Sequence, residues 1–191
     1  MRLNRIILIG CGKAKRQERS PAASLYTGSL FSAAREYAES SGVSWYILSA
    51  LHGLLEPDTD IQPYEETLKG KTVVNRAAWH VGVVAQLLDQ LPDFFYSFRD
   101  CTLEVHAGIA YREPLMPIFR ELGFSCHSPT EKFQIGQRIA WFKEEARKNR
   151  IMRGLESDSI PTVGNEYRAR DNLLHTDNAH RPRARVFREV K

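Results

Sequence analysis

The sequence predicts an α/β fold with a mostly parallel sheet, on three observations. Ile6-Ile7-Leu8-Ile9 is an unbroken apolar run that stops abruptly at Gly10-Cys11-Gly12-Lys13. A run of this kind suits a strand buried on both faces, the usual state of a central strand in a parallel sheet. A strand, a helix and a second strand then follow within the first 50 residues. Such βαβ units are right-handed almost without exception. Finally, four candidate strands end alike, at Gly10–Lys13, Ala50–Gly53, His106–Gly108 and His127–Pro129. Parallel strands bring such loops to one edge, where open α/β sheets bind ligands.

The elements follow in order. After the first loop, Leu30, Phe31, Ala34, Tyr37 and Ala38 recur at helical spacing, with Ser29 or Thr27 as the cap and Gly42 as the stop. Ser44–Ala50 reads as the second strand. The stretch from Leu51 to Glu66 reads as a long loop rich in carboxylates, and long ordered loops in compact domains tend to be functional. Val74, Ala77, Ala78, Val81, Val84, Ala85 and Leu88 predict a helix over 73–91, closed by Pro92. Cys101–His106 is the third strand. Pro114 suits the first turn of a helix that ends at Gly123. Phe124–His127 is the fourth strand, and a last helix is expected from Gln134 to Asn149. Residues 1–150 thus read as the α/β domain. Residues 151–191 read as a basic C-terminal extension carrying Arg181, Arg183, Arg185 and Arg188.

The 191 residues carry 27 Lys and Arg against 23 Asp and Glu, a formal net charge of +4. This mild basic excess fits a nucleotide or nucleic acid as partner. Much of it lies in the extension. Cys11, Cys101 and Cys126 are odd in number and form no CxxC pair, which argues against a disulfide framework or a Cys-rich zinc site. No apolar stretch approaches the roughly 18 residues that span a bilayer. The opening run reads as a strand, not a leader. A cytoplasmic location with reduced thiols, and no membrane partner, is the expectation.

The glycine loop is neither a P-loop nor a GxGxxG fingerprint. Gly10 and Gly12 still let backbone N–H groups approach a phosphate, with Lys13 and Lys15 beside them. For catalysis the sequence offers His52, before Gly53, as acid or base, with Asp60 or Glu65 to position water or a proton. Asp58 and Glu66 share that loop. Cys11 is a candidate nucleophile, or a small buried hydrophobe. Tyr26 and Tyr64 are candidate stacking partners for a base, with Tyr111 a third. His106, Gly108, Arg112 and Arg138 are expected at the same ligand edge, and His127 ends the fourth strand. The histidine spacing carries no metal signature and HExxH is absent, so neither a metal nor a cofactor is expected.

Gly10-Cys-Gly-Lys-Ala-Lys15, Leu25-Tyr-Thr-Gly-Ser-Leu-Phe31, Leu48-Ser-Ala-Leu-His-Gly-Leu54 with Pro57, Pro63-Tyr64 and Ile135-Gly-Gln-Arg138 resemble an uncharacterised bacterial domain family sometimes called YaaA-like. The resemblance covers about residues 5–145. More distantly, the chain is similar to the uracil-DNA glycosylase fold, and His127-Ser-Pro129 resembles that fold's histidine loop. The likeness implies a three-layer α/β/α architecture, Rossmann-like or uracil-DNA-glycosylase-like, with a four-stranded sheet of order 2-1-3-4. The carboxylate that the glycosylases carry just after the first strand is absent here. The expected function is an enzyme directed at a nucleotide or nucleic acid, a hydrolase of an N-glycosidic bond. The alternatives are a non-catalytic nucleic-acid-binding module that uses the cationic edge and the Arg-rich extension, and a thiol enzyme centred on Cys11.

Overall fold

The computed structural model describes residues 4–91 and 101–155. Its elements are β1 (Asn4–Gly10), β2 (Ser20–Pro21), α1 (Ala22–Leu25), α2 (Ser29–Ser41), β3 (Ser44–Ser49), β4 (Gly53–Leu55), β5 (Asp60–Ile61), α3 (Val73–Gln90), β6 (Cys101–His106), α4 (Ile109–Glu121), β7 (Ser125–His127) and α5 (Ile135–Met152). The main sheet has the order β4-β3-β1-β6-β7. Its pairs β1·β3, β1·β6 and β6·β7 are parallel, and β3·β4 is antiparallel. The α/β class and the mostly parallel sheet are as the sequence predicts. The expected four-stranded sheet is corrected to five strands, with β4 added outside β3. The chain reverses at Leu51-His52 instead of continuing as a loop. A second ribbon pairs β2 with β5.

Alternation along β1 explains why an all-apolar strand sits at the centre. Ile6 and Leu8 enter a core with Leu103, Val105, Val83, Leu87, Leu115 and Phe119, under α3 and α4. Ile7 and Ile9 enter a second core with Phe31, Ala34, Tyr37, Ile47 and Phe142, under α2 and α5. Two faces buried against helices leave β1 no solvent side and no position for a polar residue.

Three helices depart from the sequence reading. α3 buries His80, Val83, Val84 and Leu87, while Val73, Val74 and Val81 are exposed. The period is helical as expected, but the buried stripe is rotated away from Val74 and Val81. Pro92 lies outside the described residues. α4 starts at Ile109, with Gly108 as N-cap, and not at Pro114. Pro114 lacks the N–H that would reach Ala110 O, and His80 Nε2 lies 3.4 Å from that freed carbonyl instead. α5 continues to Met152, so the boundary expected at residue 150 falls inside a helix. The basic extension, from residue 156 on, lies outside the described residues.

The β3–β4 reversal rests on Gly53 and Gln86. Gly53 has φ +76, and a Cβ built on it would fall on Gln86 Oε1. That oxygen accepts from Leu54 N–H at 2.8 Å, while Gln86 Nε2 donates to His52 O at 3.1 Å. Gly53→Ala combines left-handed strain with displacement of both bonds. It is expected to cost about 1–3 kcal/mol of unfolding free energy in urea titration. A loss no larger than that of Gln86→Ala would mean that the backbone angle contributes nothing.

Candidate functional site

The site is built from the backbone outward. β1 runs into Gly10, where a Cβ would stand 3.2 Å from both Ala107 Cα and Cβ. Glycine lets the carboxyl ends of β1 and β6 close together there. The loop that follows is pinned on two sides. Cys11 N–H donates to Leu48 O at 3.0 Å, Arg16 N–H to Leu25 O at 2.9 Å and Thr27 N–H to Ala14 O at 3.0 Å. Opposite stands the start of α2, whose N-cap is Gly28 and which has no side-chain cap. Its first-turn N–H groups are therefore left to water or a ligand.

These parts, with His106–Gly108, Thr130 and the α5 residues Arg138 and Phe142, line a cleft of about 360 Å³. Small-molecule sites run from roughly 300 to 1000 Å³. Among the described residues, the charged side chains that line it are Lys13 and Arg138, and no carboxylate does. Lys13 is exposed. Arg138 is aimed by its own loop, donating from Nε to Phe133 O at 3.0 Å and from Nη2 to Glu131 O at 3.2 Å. Phe31 and Phe142 supply aromatic wall.

Behind the cleft lies a buried polar group. Glu104 and His106 are two apart on β6, so they share the face turned toward α2 and α5. Tyr37 Oη donates to Glu104 Oε1 at 2.6 Å, and His106 Nε2 donates to the same oxygen at 2.6 Å. Glu104 Oε2 takes Arg5 Nη1 at 3.5 Å, with His127 Nε2 also at 3.5 Å. A carboxylate only accepts, so the proton of a neutral His106 sits on Nε2 and leaves Nδ1 as acceptor. Thr130 Oγ1 donates to that Nδ1 at 3.2 Å. Glu104, His106 and Thr130 are 2%, 8% and 2% exposed, yet His106 and Thr130 both border the cleft. Burial pushes His106 below its ordinary value against the pull of Glu104. Burial alone would raise the Glu104 carboxyl; the hydrogen bonds from His106 and Tyr37, with the charges of His106 and Arg5, outweigh it and hold the carboxyl low.

The residues singled out from the sequence fall into two groups. Gly10, Cys11, Gly12, Lys13, His106, Gly108 and Arg138 line the cleft. The others do not. Tyr26 Oη and Tyr64 Oη share a hydrogen bond of 2.8 Å, and Ser49 Oγ lies 2.7 Å from Tyr64 Oη. Burial pushes the Tyr26 phenol up to about 12. Lys15 Nζ lies 4.5 Å from the centre of the Tyr64 ring, and His52 meets that ring edge-on at 5.3 Å. Gly53 opens β4. Asp60 is exposed and pairs weakly with Arg19 at 3.9 Å, and Glu65 is exposed. Arg112 is buried between Ser128 Oγ and Glu131 Oε2, each at 3.5 Å. The loop after β3 turns back into β4 and does not join the lining. Glu104, Tyr37 and Thr130 escaped the sequence reading. The signal for the first was a carboxylate and a histidine two apart in a strand whose neighbouring positions, Leu103 and Val105, are apolar.

Cys11 Sγ stands 3.7 Å from Tyr111 Oη at the cleft lip. Burial pushes the Cys101 and Cys126 thiols up to about 11, which keeps both unreactive near neutral pH. Among the described residues no helix is long and apolar enough to cross a membrane.

Fold and cleft describe an α/β protein with a cleft at the carboxyl edge of its parallel strands, where Lys13 and Arg138 are the cationic side chains and, among the described residues, no carboxylate joins the lining. Residues 6–144 match the profile of DUF6884, described as a family of unknown function, and the chain belongs to that family. No curated protein and no solved structure matches it.

Proposed function

We propose that the chain is an enzyme directed at a nucleotide, which it holds by phosphate in the cleft between the Gly10–Ala14 loop, the start of α2 and α5, and which it hydrolyses. The observation that carries this reading is the convergence of Lys13, Arg138 and the uncapped N-terminus of α2 on a cleft that no carboxylate lines among the described residues. Phosphate suits such a set of donors. Phe31 and Phe142 border the cleft from buried positions and shape its wall, while the hydroxyls of Tyr26 and Tyr64 are tied up with each other. The sequence likeness to YaaA-like domains and to the uracil-DNA glycosylases is part of this proposal, and it would suit a base- or phosphate-directed site by analogy alone.

The non-catalytic nucleic-acid module has less support. Lys15 is folded over Tyr64, and Arg16 donates to Ser24 O at 2.8 Å. Among the described residues of that edge this leaves Lys13 and Arg138, few cations for a track along a phosphate backbone, while the Arg-rich extension that this reading also uses lies outside the described residues.

Calorimetric titration of the full chain with mono-, di- and triphosphates of adenosine and guanosine tests the reading. At least one is expected to bind. Lys13→Ala and Arg138→Ala are each expected to weaken binding about ten- to a hundredfold, the worth of one charge-assisted hydrogen bond. Absence of binding, or binding indifferent to both substitutions, overturns the proposal.

A further inference from the structure

The buried polar group on β6 has an order that simple burial does not require. A satisfied core carboxylate needs partners, and Tyr37, Arg5 and His106 supply them. It does not need its histidine partner to border a ligand cleft, nor that histidine's other nitrogen to face a hydroxyl that borders the cleft as well. Hydroxyl, imidazole and carboxylate stand in series at 3.2 Å and 2.6 Å. A nucleophile within hydrogen-bond reach of a base, itself oriented by a third group, is the pattern of covalent catalysis.

Resting on the reading that the cleft takes a phosphate ester, we propose that Thr130 is its nucleophile, His106 the base that activates it, and Glu104 the residue that positions the imidazole. Glu104 fixes the Nε2–H tautomer. The imidazole is wedged against Phe142 and Tyr37, with ring centres 4.8 Å and 5.6 Å away, so Nδ1 stays aimed at Thr130. In the first step the Thr130 Oγ–P bond forms and the ester P–O bond breaks. The hydroxyl proton passes to His106 Nδ1 and from there to the departing alkoxide. In the second step water gives a proton to Nδ1 and attacks phosphorus, the Oγ–P bond breaks, and Thr130 regains its proton. Lys13, Arg138 and the α2 N–H groups hold the charge on the phosphoryl oxygens.

A biotinylated alkyl fluorophosphonate, incubated with the full chain and mapped by peptide mass spectrometry, tests this directly. The Oγ–P bond forms, fluoride leaves, and the proton ends on His106. Label is expected on Thr130, retained in Thr130→Ser and absent in Thr130→Val. His106→Gln is expected to slow labelling about a hundredfold or more. The rate is expected to fall on acidification as the imidazole takes a proton. The charged and titratable groups around that imidazole are Glu104 on its own strand, Tyr37 on α2, His127 on β7 and Arg138 on α5, with Arg5 of β1 reaching it only through Glu104 Oε2. Glu104→Gln removes the anion that favours the imidazolium, so the midpoint of the pH profile moves down, a shift that a merely structural role would not produce. Circular dichroism checks that each variant folds, and the label site on the unsubstituted chain decides the matter if one does not. Nucleotide binding with no label on Thr130, label on Cys11 instead, or an unchanged rate in His106→Gln overturns the assignment and leaves the nucleotide reading standing. Label on Thr130 without nucleotide binding upholds the three residues and rejects the nucleotide.

Discussion

Glu104→Ala is expected to lower the unfolding free energy by about 3–5 kcal/mol, because it strips a buried cluster of its only anion. Arg5, Tyr37 and His106 would keep their donors with nothing at the centre to accept them. Glu104→Gln preserves the shape and one acceptor, and is expected to cost less. Urea titration of the three proteins checks the order, and a loss below about 1 kcal/mol in the alanine variant would contradict it. The pH dependence has a definite sign. His106 and Glu104 are both held below their ordinary values of 6.5 and 4.5. The unfolded chain therefore takes up protons first as the solution is acidified. The stability carried by these groups is present above those values and is lost as pH falls, first below about 6.5 and again below about 4.5. His106→Gln is expected to flatten the upper limb and, because His106 helps hold the Glu104 carboxyl low, to shrink the lower one as well.

Phe142→Ala is expected to cost a similar amount, about 3–5 kcal/mol, for a different reason. Phe142 is fully buried on α5, against Tyr37 at 5.7 Å and His106 at 4.8 Å between ring centres. Truncation removes transfer energy and leaves a void. This void opens onto the cleft, so water can fill it and reach His106. Unlike Glu104→Ala, the substitution leaves the carboxylate network its partners. Water at His106 relieves the burial that holds its imidazole low, so the destabilisation is expected to be largest near pH 8 and to shrink toward pH 5, which parallel urea titrations would show. A destabilisation independent of pH would mean that the ring acts through volume alone.

What could be read from the sequence was decided by period and punctuation. Ile6–Ile9 with Gly10 behind it identifies a central strand because little else accommodates four consecutive buried apolar residues. The helix from Ser29 announces its far end at Gly42, whereas its N-cap is Gly28 and not Ser29 or Thr27 as the sequence reading expects. β4 was not legible: three residues, Gly53-Leu-Leu, carry no period, and what folds them back is a hydrogen-bonded side chain, Gln86, 32 residues beyond Leu54. The orientation of α3 failed because valine and alanine occur on both of its faces, so composition could not say which one the sheet would cover. The cleft was half legible. Lys13, His106 and Arg138 could be placed at strand and helix ends, where topology brings loops together. Thr130 could not, since its partner lies 24 residues earlier and only the folded chain joins them.

The polar pair on β6 has a consequence for assembly. β1 is equally greasy on both sides, so sliding it by one residue would exchange Ile for Leu and change little. Moving β6 by one residue would thrust a carboxylate and an imidazole among Leu115, Phe119 and Val83. The strand that carries the proposed chemistry is thus also the one whose alignment cannot err, and evolution of a new reaction here would have to find another way to keep the sheet in step.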